Sequence, residues 1–151
     1  MRRFGSSPET RAIAPATLQA ALLGAVLLAA SFLIARVIFA HAGPYDLWLA
    51  SALLSLVFGF IFGGLGIGLA LMLAGVPIAR AAGELLEGRS GMAIALAASL
   101  ACTAGIYALT VEKPFAPTQE AIFPFVTLCF ALPAAVLYRR QVLLERGFER
   151  P

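Results

Sequence analysis

The chain has little with which to do chemistry. Of its 151 residues one is histidine, two are cysteine and eight are carboxylates, and charged residues of either sign make up only 13%. The carboxylates (Glu9, Asp46, Glu84, Glu87, Glu112, Glu120, Glu145 and Glu149) fall at the ends of apolar stretches and in the joints between them. No acid, base and nucleophile can be assembled from neighbours in sequence, so no catalytic residue is assigned and no enzyme is expected. A metal centre needs three or four converging ligands. His41 stands alone, and Cys102 and Cys129 have neither histidine nor carboxylate beside them, so no metal or cofactor site is expected. Both cysteines lie within apolar runs, which excludes an extracellular disulfide framework. Proton-coupled transport usually needs an ionisable group near the membrane midplane. None occurs here.

Polar surface is scarce too. With 61% hydrophobic residues a chain of this length cannot cover a soluble domain in water. What it has instead are four long apolar runs, at 18–40, 47–73, 92–111 and 121–138. Each is close to the roughly 20 residues an α-helix needs to cross ~30 Å of hydrocarbon. The expected fold is all-α: a polytopic integral membrane protein of four transmembrane helices in an up-down bundle. Four spans leave no room for a separate soluble domain.

The cations are sorted between the runs. Arg2, Arg3, Arg11, Arg80, Arg89, Arg139, Arg140, Arg146 and Arg150 fall on one side, against Arg36 and Lys113 on the other. By the positive-inside rule both termini are expected in the cytoplasm, with the chain in a bacterial inner membrane and outer loops near 41–46 and 112–120. Tyr45, Trp48, Tyr107 and Tyr138 stand where interfacial aromatic anchors belong. The net charge of +3 is explained by this orientation, and no nucleic-acid partner is expected. Ala40-His41-Ala42 has the form of a secretory cleavage site. The run from Leu18 to Ala35 is too long for a signal core, so the first helix is expected to stay.

Between the spans, residues 1–14 are expected to form a mobile tail that ends at Pro15, a favourable first-turn residue. The segment 75–91 alternates Ile78, Leu85 and Leu86 with Arg80, Glu84, Glu87 and Arg89. It fits either an amphipathic helix at the headgroups or a continuation of span two past a Pro77 kink. Residues 139–151 form a basic tail that prolongs span four or lies along anionic headgroups.

Within the spans small residues are the strongest pattern. Ser55, Gly59, Gly63 and Gly66 share one face of span two, and Gly64 and Gly68 fall on nearly the opposite one. Such faces let helix backbones approach closely in lipid, which predicts a central span two packed on two sides. The glycines follow no strand, so they are not a dinucleotide-binding fingerprint. Ala97, Ala101 and Gly105 form a similar seam on span three. Pro133 removes an amide donor deep in span four and should kink it. Arg36 is the only charge inside a span; it can snorkel to the interface or meet a partner. Spans with so few polar groups suit packing more than chemistry. The expected function is a non-catalytic accessory or assembly subunit of a larger membrane complex, with the bilayer and other membrane subunits as partners. The alternative is a small homo-oligomeric transporter, lipid-handling protein or channel.

Overall fold

A computed structural model describes residues 7–38, 45–110 and 122–147, and among these there is helix and turn but no strand. Six α-helices follow one another among the described residues: α1 (Pro8–Arg11), α2 (Ile13–Ile38), α3 (Tyr45–Ala70), α4 (Val76–Ala82), α5 (Arg89–Thr110) and α6 (Ile122–Arg146). Alanine and leucine, the best apolar helix formers, dominate them. The loops expected at 41–46 and 112–120, with His41, Lys113 and Glu120, lie outside the described residues apart from the backbone of Tyr45 and Asp46.

Among the described residues three helices are long and apolar enough to cross a membrane: Pro8–Ala35, Leu49–Leu86 and Pro124–Arg146. This is one fewer than the four expected. The stretch at 92–111 does form a helix, α5, of 22 residues. Several side chains in its last turns lie outside the described residues, so its described portion is shorter than the others.

The first helix begins earlier than expected. Pro8 occupies the first turn of α1, where its missing N–H costs nothing, and the Ser7 carbonyl accepts the amides of Thr10 and Arg11. Residues 8–14 are therefore helical, with a single turn residue at Ala12, and not a mobile tail. Glu9, Ala12 and Ile13 are buried there.

Span two also runs on. α3 passes through a π-helical turn, Leu71–Gly75, into α4, and the Val76 amide bonds the Leu71 carbonyl five residues back. The wide turn sits just before Pro77, whose ring would collide with the carbonyl four residues earlier in a regular α-helix. The helix thus continues past Pro77. The apolar stretch Leu49–Leu86 counts 38 residues, and its part up to the end of α4 at Ala82 is about 50 Å long at 1.5 Å per residue, far more than ~30 Å of hydrocarbon. Its last stretch carries Arg80, and Glu84 follows in the next turn. Gly83 then stops the helix with φ of 50°, a value that side chains with a Cβ rarely adopt, and a 3-10 turn (Gly83–Leu86) leads to α5.

The helices pack in the order α3, α2, α6, α5. α2 lies against both α3 and α6, α5 lies against α6, and α3 and α5 scarcely touch. Gly59 faces Ala25, Gly64 faces Ala21 and Gly68 faces Thr17, so α2 and α3 run antiparallel. Span two is consequently at the edge of the array rather than its centre. The centre is a line of Ala16, Ala20, Ala21 and Ala25 on α2 with Phe130, Ala134, Tyr138 and Val142 on α6. The physical cause is Phe130. A Cβ at Gly24 or Gly63 would overlap its ring, and one at Gly59 would come within 3.3 Å. One aromatic ring fills the notch that three glycines leave, joining α2, α3 and α6.

Candidate functional site

Two features stand out: a polar cluster that ties one end of the molecule together, and a groove that opens from it. In the cluster, Arg146 near the end of α6 donates from Nη2 and Nε to Glu9 Oε1, at 2.7 and 3.2 Å. The same guanidinium donates to the carbonyls of Gly83 (2.8 Å) and Ala79 (3.2 Å). These carbonyls lie in the last turn of α4 and at its C-cap. A cation is favourable there because the helix dipole ends negative. Both side chains are largely buried, at 16% and 9% exposure. Tyr138 donates its hydroxyl to the Glu9 carbonyl at 3.1 Å, Arg80 donates to Ser7 Oγ at 3.1 Å, and Arg11 pairs with Glu145 at 3.3 Å on the outside.

Arg139, earlier on the same helix, acts in a similar way on the turn that follows α4. Its Nε donates to the Leu86 carbonyl (2.9 Å), and Nη2 to those of Glu87 (3.0 Å) and Gly88 (3.2 Å). These acceptors are neutral. No carboxylate among the described residues pairs with Arg139, so its charge is held in place but not compensated.

The groove lies where α3 and α5 fail to meet, with α6 as its floor, and has a volume of about 490 Å³. Gly63, Gly66 and Ala70 form one wall and Ala95, Ala98 and Cys102 the other. Along α6 it runs from Val126 to Arg139, about 20 Å at 1.5 Å per residue. Arg139 is the only charged residue among the described residues that line it. Thr103 bonds the Ser99 carbonyl at 2.9 Å, while the buried Ser99 hydroxyl has no partner among the described residues. The groove thus has a long apolar body and one cationic end.

The small residues picked out in sequence separate into three groups. Gly59, Gly63, Gly64 and Gly68 pack against α2 and Phe130, Ser55 is half-buried, and Gly66 faces open space in the groove. The α5 seam is a correction. Ala97, Ala101 and Gly105 face outward, and a Cβ at Gly105 would meet nothing within 4 Å. Ser99 and Thr103 are the buried positions instead. At about 100° per residue Ser99 is nearly opposite Ala97, and both faces of α5 are small enough to pack.

α6 continues through Pro133, which is buried. Cys102 lines the groove, Cys129 packs against the core, and neither forms a disulfide. The backbone of Arg36 is in α2, and its side chain lies outside the described residues. The described residues hold no group of three or more His, Cys, Asp or Glu side chains suited to a metal ion.

Sequence inspection missed the Glu9–Arg146 pair and the Arg139 caps. The only available signal was polar residues set among the apolar ones of the two tails. Comparison with protein-family models, with curated proteins and with solved structures finds no match.

Proposed function

We propose that the chain is a non-catalytic accessory subunit that packs by its small-residue helix faces against other subunits of a membrane complex. The observation that carries this reading is the outward stripe Ala97, Ala101 and Gly105 on α5, which the chain's own described helices leave unpacked. In lipid a stripe of this kind favours close approach of another helix. The exposed ridge of α3, with Leu54, Phe58, Phe62 and Leu65, offers a second lipid-facing surface of larger side chains.

α5, at 22 residues about 33 Å long, serves as a fourth span in this proposal. The helices alternate in direction, and both termini lie in the cytoplasm of a cell with the chain in its inner membrane. The nine-to-two division of basic residues supports that orientation. A reporter active only outside the cytoplasm, fused after Pro151, is expected to be silent; strong activity would reverse the orientation.

Purification in mild detergent at native expression, followed by mass spectrometry, tests the subunit reading. A partner at fixed stoichiometry is the expected result, and a homo-oligomer alone would sink it. Ala101→Leu is expected to reduce recovery of the partner at least about tenfold, as a loss of roughly 1.4 kcal/mol of packing would. The fold should be unaffected, since position 101 is exposed.

A further inference from the structure

We infer that the groove between α3 and α5 is a binding site for an anionic phospholipid, with an acyl chain along α6 and the headgroup phosphate at Arg139. This inference rests on the membrane reading but on no partner protein. Three features of the groove favour that occupant. Its volume, about 490 Å³, is within the range of small-molecule sites. Its body is mainly apolar over about 20 Å of helix, interrupted only by small hydroxyls such as those of Ser99, Thr103 and Thr127, which suits a chain, and its one charge lies at one end. That end is cationic: Arg139 lines the groove, is half-buried, and has only neutral carbonyl partners among its hydrogen bonds.

A partly buried charge with no counter-charge is unfavourable until an anion joins it. Basic pockets between membrane helices on the side that carries the arginines bind acidic headgroups in this way. The carbonyls of Leu86, Glu87 and Gly88 fix the guanidinium at the rim, so the cation is already in position when the lipid arrives. Glu84 and Glu87 are exposed in the same turn but do not line the groove.

The test uses the full chain in vesicles of phosphatidylcholine and phosphatidylglycerol in roughly equal parts, extracted gently and examined by native mass spectrometry for retained lipid. The wild type is expected to retain phosphatidylglycerol in preference to phosphatidylcholine by about fivefold, the effect of one basic residue at a membrane surface. Arg139→Gln should abolish the preference, and Arg139→Lys, which keeps the charge but not the fork of donors, should preserve it. Gly66→Leu fills the groove without meeting any atom within 4 Å at its Cβ, and should remove the retained lipid. Gly105→Leu adds the same volume in open space outside the groove and should leave it.

Should Gly66→Leu fail to give a monodisperse protein, Ala98→Leu on the opposite wall takes its place. If neither groove-filling variant folds, the Arg139 pair decides alone. Retention in the bulk lipid ratio, equal retention by wild type and Arg139→Gln, or full retention by a folded groove-filled variant would overturn the inference. So would the finding that a protein helix occupies the groove in purified complex. Gly105→Leu separates the two proposals, since it should weaken assembly while lipid retention stays the same.

Discussion

Arg146→Met is expected to destabilise the folded chain by about 3–5 kcal/mol, the cost of stranding one member of a buried ion pair. The substitution removes more than a charge. It leaves Glu9, a carboxylate 9% exposed at its side chain, without its cation. It also leaves the carbonyls of Ala79 and Gly83 without the donors that close α4. Glu9→Gln is the milder change, because Arg146 keeps its two carbonyl acceptors and the amide oxygen can still accept a bond. Its expected cost is about 1–3 kcal/mol. Replacing both residues by leucine removes the stranded charge, so the double variant should lose less than the sum of the single leucine variants. Equilibrium unfolding in mixed micelles, followed by circular dichroism, measures each. Equal effects from Arg146→Met and Glu9→Gln would show that the α4 carbonyl contacts contribute nothing.

The consequence extends beyond stability. Glu9 joins α1 to the end of α6, and Arg146 joins both to α4. The connection between α4 and α5 is held by Arg139 on the same helix. In the Arg146 variant, proteolysis should therefore cut first near Gly83 and Gly88, while α2 and α3, joined through Gly59, Gly64 and Gly68, stay protected.

Gly63→Leu is expected to be the most disruptive substitution in span two, by about 3 kcal/mol or more, whereas Gly66→Leu should lie within about 0.5 kcal/mol of wild type. The two glycines are three residues apart and look alike in the sequence. A Cβ at Gly63 would run into the Phe130 ring, while one at Gly66 would meet nothing. Gly24→Leu should resemble Gly63→Leu, because it meets the same ring from α2.

Phe130→Ala is expected to cost about 3–5 kcal/mol by leaving the notch empty. Combined with Gly63→Leu it should cost clearly less than the two changes added together, since the new leucine enters the space the ring vacates. Additive losses in that cycle would mean that Phe130 is not what Gly63 makes room for. Thermal unfolding in a single detergent, with lipid content held constant, reads the series.

The helical, membrane-spanning character of the chain was legible in its sequence because it depends on two local quantities. One is the length of an apolar run set against the thickness of hydrocarbon, and the other is where charges interrupt it. The runs at 18–40, 47–73 and 121–138 all overlap the long apolar helices. The continuation past Pro77 was legible as one of two possibilities, and the wide turn at Leu71–Gly75 shows how the helix accommodates the proline. The start at Pro8 was missed because Arg11 and Glu9 look like solvated residues until their partners 134 and 137 positions later, Glu145 and Arg146, are in view.

Which faces meet was not legible, and the reason is physical. In a water-soluble helix the polar side marks the outside, but here lipid-facing and packed surfaces are both apolar. α3 is small or apolar nearly all round, and α5 has a small-residue stripe on both faces. Only the fit of particular shapes chooses among them: one phenylalanine ring in a notch of three glycines, and one arginine at the open end of a helix. The sequence by itself determined that the chain is helical and built for a membrane. The tertiary structure alone decided that α2 and α6 form its centre, that the α5 stripe faces outward, and that a groove separates α3 from α5 with one cation that no carboxylate among the described residues pairs, because each depends on contacts between residues far apart in the chain.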